Sequence, residues 1–257
     1  MSELVFIEER EFRNVLTALA REQQAKGELR IETPDRFITH LVDVGHLAES
    51  TARQIIRVHS NLFRILSPQI VRVAGYSHDI GKINVGDPYH EVESAYMVLK
   101  EGEDLGLVTG GNRVARRTAL KRIACCLTSD FALDRELGDE SFPDGALYRG
   151  FVTSELIEKV NFLRVELSRD SVPLTINQLT SPNTLERQVV MYTDLTGENG
   201  MQTRLDEMID RYENKAAQLE GQGKIGLTHY YRKQVELTRQ LMSRFLATEG
   251  LIKQLID

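Results

Sequence analysis

Tryptophan is absent from the 257 residues, and cysteine (two) and proline (six) are scarce. The two cysteines, Cys125 and Cys126, are adjacent, which suits neither a disulfide scaffold nor a bridge in an oxidising compartment. No apolar run approaches the roughly 20 residues that span a bilayer as a helix. The segment Met1 to Arg10 carries acids rather than a basic start before an apolar stretch, so a secretory leader is not expected and a cytoplasmic setting is. Basic residues do not dominate: 32 Lys and Arg stand against 38 Asp and Glu, a net charge of -6. That balance excludes a general nucleic-acid coat, which needs a basic face. It leaves room for a small anionic substrate held by a local positive site. What is there suits a folded chain, with 41% apolar and 27% charged residues, enough core and surface for one large domain or one domain with an appendage.

The patterning predicts an all-α fold. Apolar residues recur at steps of three and four, and strict alternation is hard to find. Thr33-Pro34 predicts a helix start, with Thr as N-cap, Pro at the first helical position and Asp35 in the first turn. Phe37, Leu41, Val44, Ala48 and Ala52 continue its stripe to about Arg57. Ser67-Pro68 predicts a second helix, ending near Gly81, and Ser181-Pro182 a third, running through Leu185, Val189 and Tyr192 to the breaker Gly197. Residues 33–200 read as a helical core and residues 1–32 as a helical extension. Residues 201–257 read as a hairpin with stripes Met201, Leu205, Met208, Ile209, Tyr212 and Tyr230, Leu237, Leu241, Phe245 about the turn Gly221-Gln222-Gly223. The hairpin is expected to cap the core, the alternative being a homodimer seam or partner surface. Ser129 to Gly145 reads as an exposed loop.

Six histidines carry most of the chemical information. His78-Asp79-Ile80-Gly81-Lys82 follows a largely apolar helix and puts an imidazole beside a carboxylate, both suitable ligands for a divalent first-row metal. Adjacent helical residues point about 100° apart, so such a pair needs partners from other helices. An isolated His-Asp dipeptide says little by itself.

Its context says more. Val44, Gly45, Leu47 and Ala48, counted from His40, together with the complete HDIGK element at 78–82, resemble the HD-domain metal-dependent phosphohydrolase superfamily over roughly residues 33–200. The resemblance implies a metal set of His40, His78, Asp79 and Asp194, the last in Met191-Tyr192-Thr193-Asp194-Leu195. Helix geometry favours His40 over His46 as the early ligand. His40, Val44, Leu47 and Thr51 fall at i, i+4, i+7 and i+11 on one expected inward face, whereas His46 is about 240° from His40. Four ligands would leave positions open for water and substrate.

The same resemblance points to His90 and Glu93, three residues apart, as a proton donor or phosphate contact and its orienting partner; a helix-capping His90 with a solvated Glu93 is the plainer alternative. Asp79 is both ligand and candidate base, and Lys82 is placed to reach a phosphate oxygen. Arg113, Arg117 and Lys121 share a four-residue stride and make a candidate phosphate clamp, or else a solvated face. Cys125 and Cys126 read as small buried apolar residues. No histidine lies between Glu91 and Asp194, where two-metal members carry more, and no Gly-Tyr-Pro element follows the pair. One divalent ion is therefore expected, of the group Mn, Co, Ni, Mg, Zn or Fe. The resemblance implies hydrolysis of a phosphate ester or anhydride, with a nucleotide as the leading small anionic substrate. The alternatives are a sensing protein with little turnover and a nuclease on single-stranded nucleic acid using the Arg113–Arg122 segment.

Overall fold

The helix that presents His40, α2 (Pro34–Val58), begins with Pro at its first turn after Thr33, whose side chain makes no capping hydrogen bond. It buries Ile38, Leu41, Gly45, Ala48, Ala52 and Ile55, a stripe at the three- and four-residue steps of an amphipathic helix. Leu47, expected to face inward, is 45% exposed. It lies one residue, about 100°, from the buried Ala48 and so turns out of the stripe. The structure is a computed structural model that describes residues 3–86, 89–128, 154–168, 173–175, 178–179, 184–196 and 201–257.

Along the chain come β1 (Leu4–Phe6), α1 (Glu9–Lys26), α2, a 3-10 turn (Ser60–Arg64), α3 (Pro68–Ser77), α4 (Lys82–Val85), α5 (His90–Glu101), β2 (Val108–Gly110) and α6 (Arg113–Leu127). These are followed by α7 (Ser154–Glu166), α8 (Leu185–Leu195), α9 (Met201–Gly221) and α10 (Ile225–Ile256). Among the described residues the fold is all-α with one small exception: β1 pairs antiparallel with β2, Val5 opposite Thr109. Residues 1–32, expected to be a helical extension, thus also supply a strand. The α3 helix starts at Ser67, whose hydroxyl accepts from Ile70 N, and ends at Ser77 with His78 as C-cap, short of the expected Gly81. The α8 helix is capped by Thr184, which accepts from Arg187 N. The proposed Ser181-Pro182 start, Gly197, the Ser129–Gly145 loop and the side chains of Leu237 and Leu241 lie outside the described residues.

The core is built on the crossing of α2 and α3. A Cβ on Gly75 would lie 2.6 Å from Gly45 Cα, and one on Gly45 would strike the Tyr76 ring. Only two glycines let the backbones approach this closely. Tyr76 is fully buried and stacks on Phe12 of α1 at 4.8 Å between centroids. Arg72 of α3 is 8% exposed and bonds Glu8 at 2.9 Å and the Ile7 carbonyl at 3.2 Å, tying the N-terminal strand and helix to the centre.

The α8 helix packs against α2, α3 and α6, and α10 against α2 and α8. Glu186, at the start of α8, is 4% exposed and accepts from Ser67 N at 3.0 Å and from Arg122 of α6. The starts of α3 and α8 are thereby tied together, and both helices deliver their last residues to the same end of the bundle. The α9 and α10 helices turn about Gln222 and Gly223, and Met201, Leu205, Met208 and Phe245 form a second apolar cluster with Met191 and Leu195 of α8.

Adding a methyl at the crossing has a direct cost. Gly75→Ala is expected to lower unfolding stability by about 1–3 kcal/mol, the range for overpacking a tight core, measured as a lower urea midpoint at unchanged m-value.

Candidate metal centre

Three helices meet where the metal ligands were expected. His40 comes from the second turn of α2, His78 from the end of α3 and Asp194 from the last turn of α8. One ligand atom from each lies within 4.8 Å of the other two. Asp194 Oδ1 is the common point, 3.2 Å from His78 Nε2 and 3.7 Å from His40 Nε2. The two imidazole rings meet edge to face at 5.1 Å. The Gly45–Gly75 contact brings them this close.

His78 is prepared for a cation. Its Nδ1 donates to the Gly75 carbonyl at 2.7 Å, which fixes the neutral tautomer with the lone pair on Nε2, the arrangement usual for ligating histidines. Nε2 is buried and has no aligned hydrogen-bond partner. Two lone pairs, on Nε2 and on Asp194 Oδ1, face one another, and only a proton or a cation reconciles them. Burial disfavours the protonated form of His78, but Asp194 and Asp79 outweigh it and raise its pKa to about 9. Those two carboxylates would equally attract a metal ion. Burial and the neighbouring His78 lower the pKa of His40, so His40 also offers a free lone pair. Two imidazoles and a carboxylate fit a divalent first-row ion.

The turn after His78 is shaped by one residue. Gly81 packs so closely on α5 that a Cβ would fall 2.3 Å from the His90 carbonyl, and its N–H donates to Ser94 Oγ at 2.9 Å. The His-Asp turn is thus docked on the start of α5, where Tyr89 holds a left-handed φ of 61° just before His90. A non-glycine residue there is strained, and such strain collects at functional sites.

Asp79 stands beside the three-ligand cluster and not within it. Its Oδ2 is 3.6 Å from His78 Nε2 and paired with Lys82, while its Oδ1 lies 2.8 Å from His90 Nε2. Burial pushes its pKa up, but Lys82, His78 and His90 outweigh this and hold the carboxyl well below its usual range. In Asp194 burial is likewise outweighed, mainly by His78. Burial pushes His90 down, yet Glu91, at 2.9 Å, and Asp79 raise its pKa to about 10. Glu93, expected to orient His90, does not. It is bound to Asn84 Nδ2 at 3.1 Å and to Lys159, and Glu91 with Asp79 holds His90 instead. His90 is the first residue of α5, so the three-residue spacing of a helix face applies poorly to it.

These groups line a cavity of about 1080 Å³. Arg113, Arg117 and Lys121 are not on its walls. Arg117 bonds the Leu99 carbonyl and Glu166, Lys121 approaches Glu166 at 3.6 Å, and Arg113 is exposed. With Arg116 on Glu103 and Arg122 on Glu186, the segment pins α6 to its neighbours. Cys126 is buried and lines the cavity, and Cys125 is half-buried; neither forms a disulfide. His46 is on the outside, 2.9 Å from Glu9 Oε2. The positive groups on the cavity wall, besides Lys82, include Arg36, Arg204, Arg211 and Lys215. The last three come from α9, whose pattern reads only as an amphipathic hairpin helix.

Two outcomes test the centre. His78→Ala should abolish tight binding of a divalent ion by stripped protein, read by metal analysis after gel filtration. In metal-free protein, the raised pKa of His90 contributes stability that is complete below the unfolded value of about 6.5. That contribution is lost as pH rises through about 10. His90→Gln should remove this part of the pH dependence, measured as melting temperature against pH.

No helix of the described residues is long and apolar enough to cross a membrane. No curated protein and no solved structure matches the chain. The family model of the HD domain matches residues 37–143, which include His40, His78, Asp79 and His90 and stop short of Asp194 and α9–α10. Residues 37–143 of the chain therefore carry an HD domain, a domain found in general in metal-dependent phosphohydrolases.

Proposed function

We propose that the chain is a single-metal phosphohydrolase that cleaves a phosphate ester or anhydride bond of a nucleotide. The observation that carries this reading is the convergence of His40, His78 and Asp194 within 4.8 Å on the wall of a large cavity, with Asp79, Lys82 and His90 beside them. On this reading residues 33–200 are the catalytic core, and two cysteines outside any disulfide agree with a cytoplasmic setting. His40, His78 and Asp194 would hold the ion, with Asp79 completing the set. A divalent ion there supplies Lewis acidity and acidifies a bound water.

The remaining work falls to the chain. Asp79 is ionised and buried and is placed to take a proton from the attacking water. His90 carries its proton at neutral pH, 2.8 Å from Asp79 Oδ1, and can give it to the leaving oxygen. Lys82 offsets negative charge growing on the phosphoryl group. The nuclease alternative is disfavoured, because four cations of its Arg113–Arg122 segment, Arg116, Arg117, Lys121 and Arg122, pair with carboxylates and do not line the cavity.

The test is phosphate or pyrophosphate release from nucleoside mono- and triphosphates by stripped protein supplied with Mn, Co, Ni, Mg or Zn. Metal-dependent release is expected, with Asp79→Ala slower by about a hundredfold or more, the scale of a general acid–base group. Release that is indifferent to metal, or that survives in Asp79→Ala, would refute the reading.

A further inference from the structure

The α9–α10 hairpin lies beyond the matched residues 37–143, yet it lines the same cavity as the metal cluster. From α9 come Arg211, Tyr212 and Lys215, and from α10 come Tyr230, Tyr231 and Gln234. Residues 211, 212 and 215 share one helix face at three- and four-residue steps. Tyr212 lines the same cavity as Lys82 and Glu91, and burial raises the pKa of its hydroxyl. Its ring lies 5.8 Å from Tyr231, Tyr231 lies 5.2 Å from Tyr230, and Tyr230 lies 6.4 Å from Tyr89, the residue before His90. A row of aromatic rings thus joins the hairpin to the start of α5.

Gln234 adds an independent sign of a ligand. It is 3% exposed, lines the cavity, and its buried Nε2 has no acceptor among the described residues. A buried amide donor is expected to have a partner, and leaving one unsatisfied is costly. Near it are ring faces, and elsewhere on the same wall are the guanidinium of Arg211 and the ammonium of Lys215. Of the acidic neighbours on this wall, Glu207 is held by Arg204 at 3.4 Å, and Asp210 lies next to Arg211 in sequence. Cations suit a phosphate chain, ring faces suit a planar base, and an amide donor suits a ring or sugar acceptor.

We infer that the hairpin is the substrate-reading wall of the site and that its ligand is a nucleoside phosphate. Arg211 and Lys215 take the phosphates that lead toward the metal, the tyrosines flank the base, and Gln234 donates to an acceptor on the nucleoside. The position of the phosphates rests on the phosphohydrolase reading; the recognition of a nucleoside does not.

Titration calorimetry on the full, metal-loaded chain tests this with an imido-linked nucleoside triphosphate, which resists cleavage, and with inorganic tripolyphosphate. Lys215→Ala should weaken binding of both by about tenfold, the effect of losing one charge-assisted hydrogen bond. Gln234→Met should weaken the nucleotide more than the tripolyphosphate. Arg113→Ala, outside the cavity, should change neither. Lys215 is exposed, so its variant keeps the test open if Gln234→Met fails to fold. Wild-type protein that does not bind the nucleotide, or folded Lys215→Ala and Gln234→Met proteins that bind it within twofold of wild type, would overturn the inference. Hairpin-dependent binding without phosphate release would sink the hydrolase reading and leave this one standing; release without hairpin-dependent binding would do the reverse.

Discussion

The bare contact of Gly45 with Gly75 is the constraint from which the candidate site follows. Helices usually pack with axes 8–10 Å apart, the distance set by side chains at the contact. Here α2 and α3 meet backbone to backbone, and His40 and His78 are consequently brought ring to ring. The stacked pair Phe12–Tyr76 fills the adjoining space and ties α1 to the same crossing. Asp194 then needs only one further helix to reach the gap. Asp79, Lys82 and His90 follow from the turn that leaves α3 and docks on α5 through Gly81.

The electrostatics of the site follow from its burial. Asp79, His78 and His90 are withdrawn from water beside the half-buried Asp194, and each of the four alters the proton affinity of the next. Isolated burial would neutralise them all. Mutual pairing instead keeps the carboxyls ionised and the imidazoles proton-hungry. A cation entering among them meets groups already arranged around positive charge.

Much of the candidate site was legible because its residues are local in sequence or bound to a helix period. The HDIGK element, the His40 helix and the Asp194 helix could be read, since ligands at helix ends need little besides spacing and neighbours. Glu93 was misassigned because helix periodicity says nothing about a residue at the helix start, where the chain enters from a strained Tyr89. The basic segment on α6 was misassigned because charge spacing cannot reveal whether Glu103, Glu166 and Glu186 stand opposite. Leu47 failed for a simpler reason: the buried stripe of α2 follows Gly45 and Ala48, and an apolar residue beside it can still face water. The fold class needed only periodicity. The three-residue strand β1 was too short to show alternation, and the hairpin's place over the cavity depends on contacts across the whole chain.

Glu186 has a consequence of its own. It fastens the starts of α3 and α8, and these two rods carry His78 and Asp194 at their far ends, roughly 16 Å and 12 Å away at 1.5 Å per residue. The arrangement is that of a tuning fork, joined at the handle, with one tine docked on α5 through Gly81. The gap between the tines is held by a carboxylate that touches neither ligand, so small rotations at the handle, too slight to unfold anything, would be magnified into a change of ligand spacing.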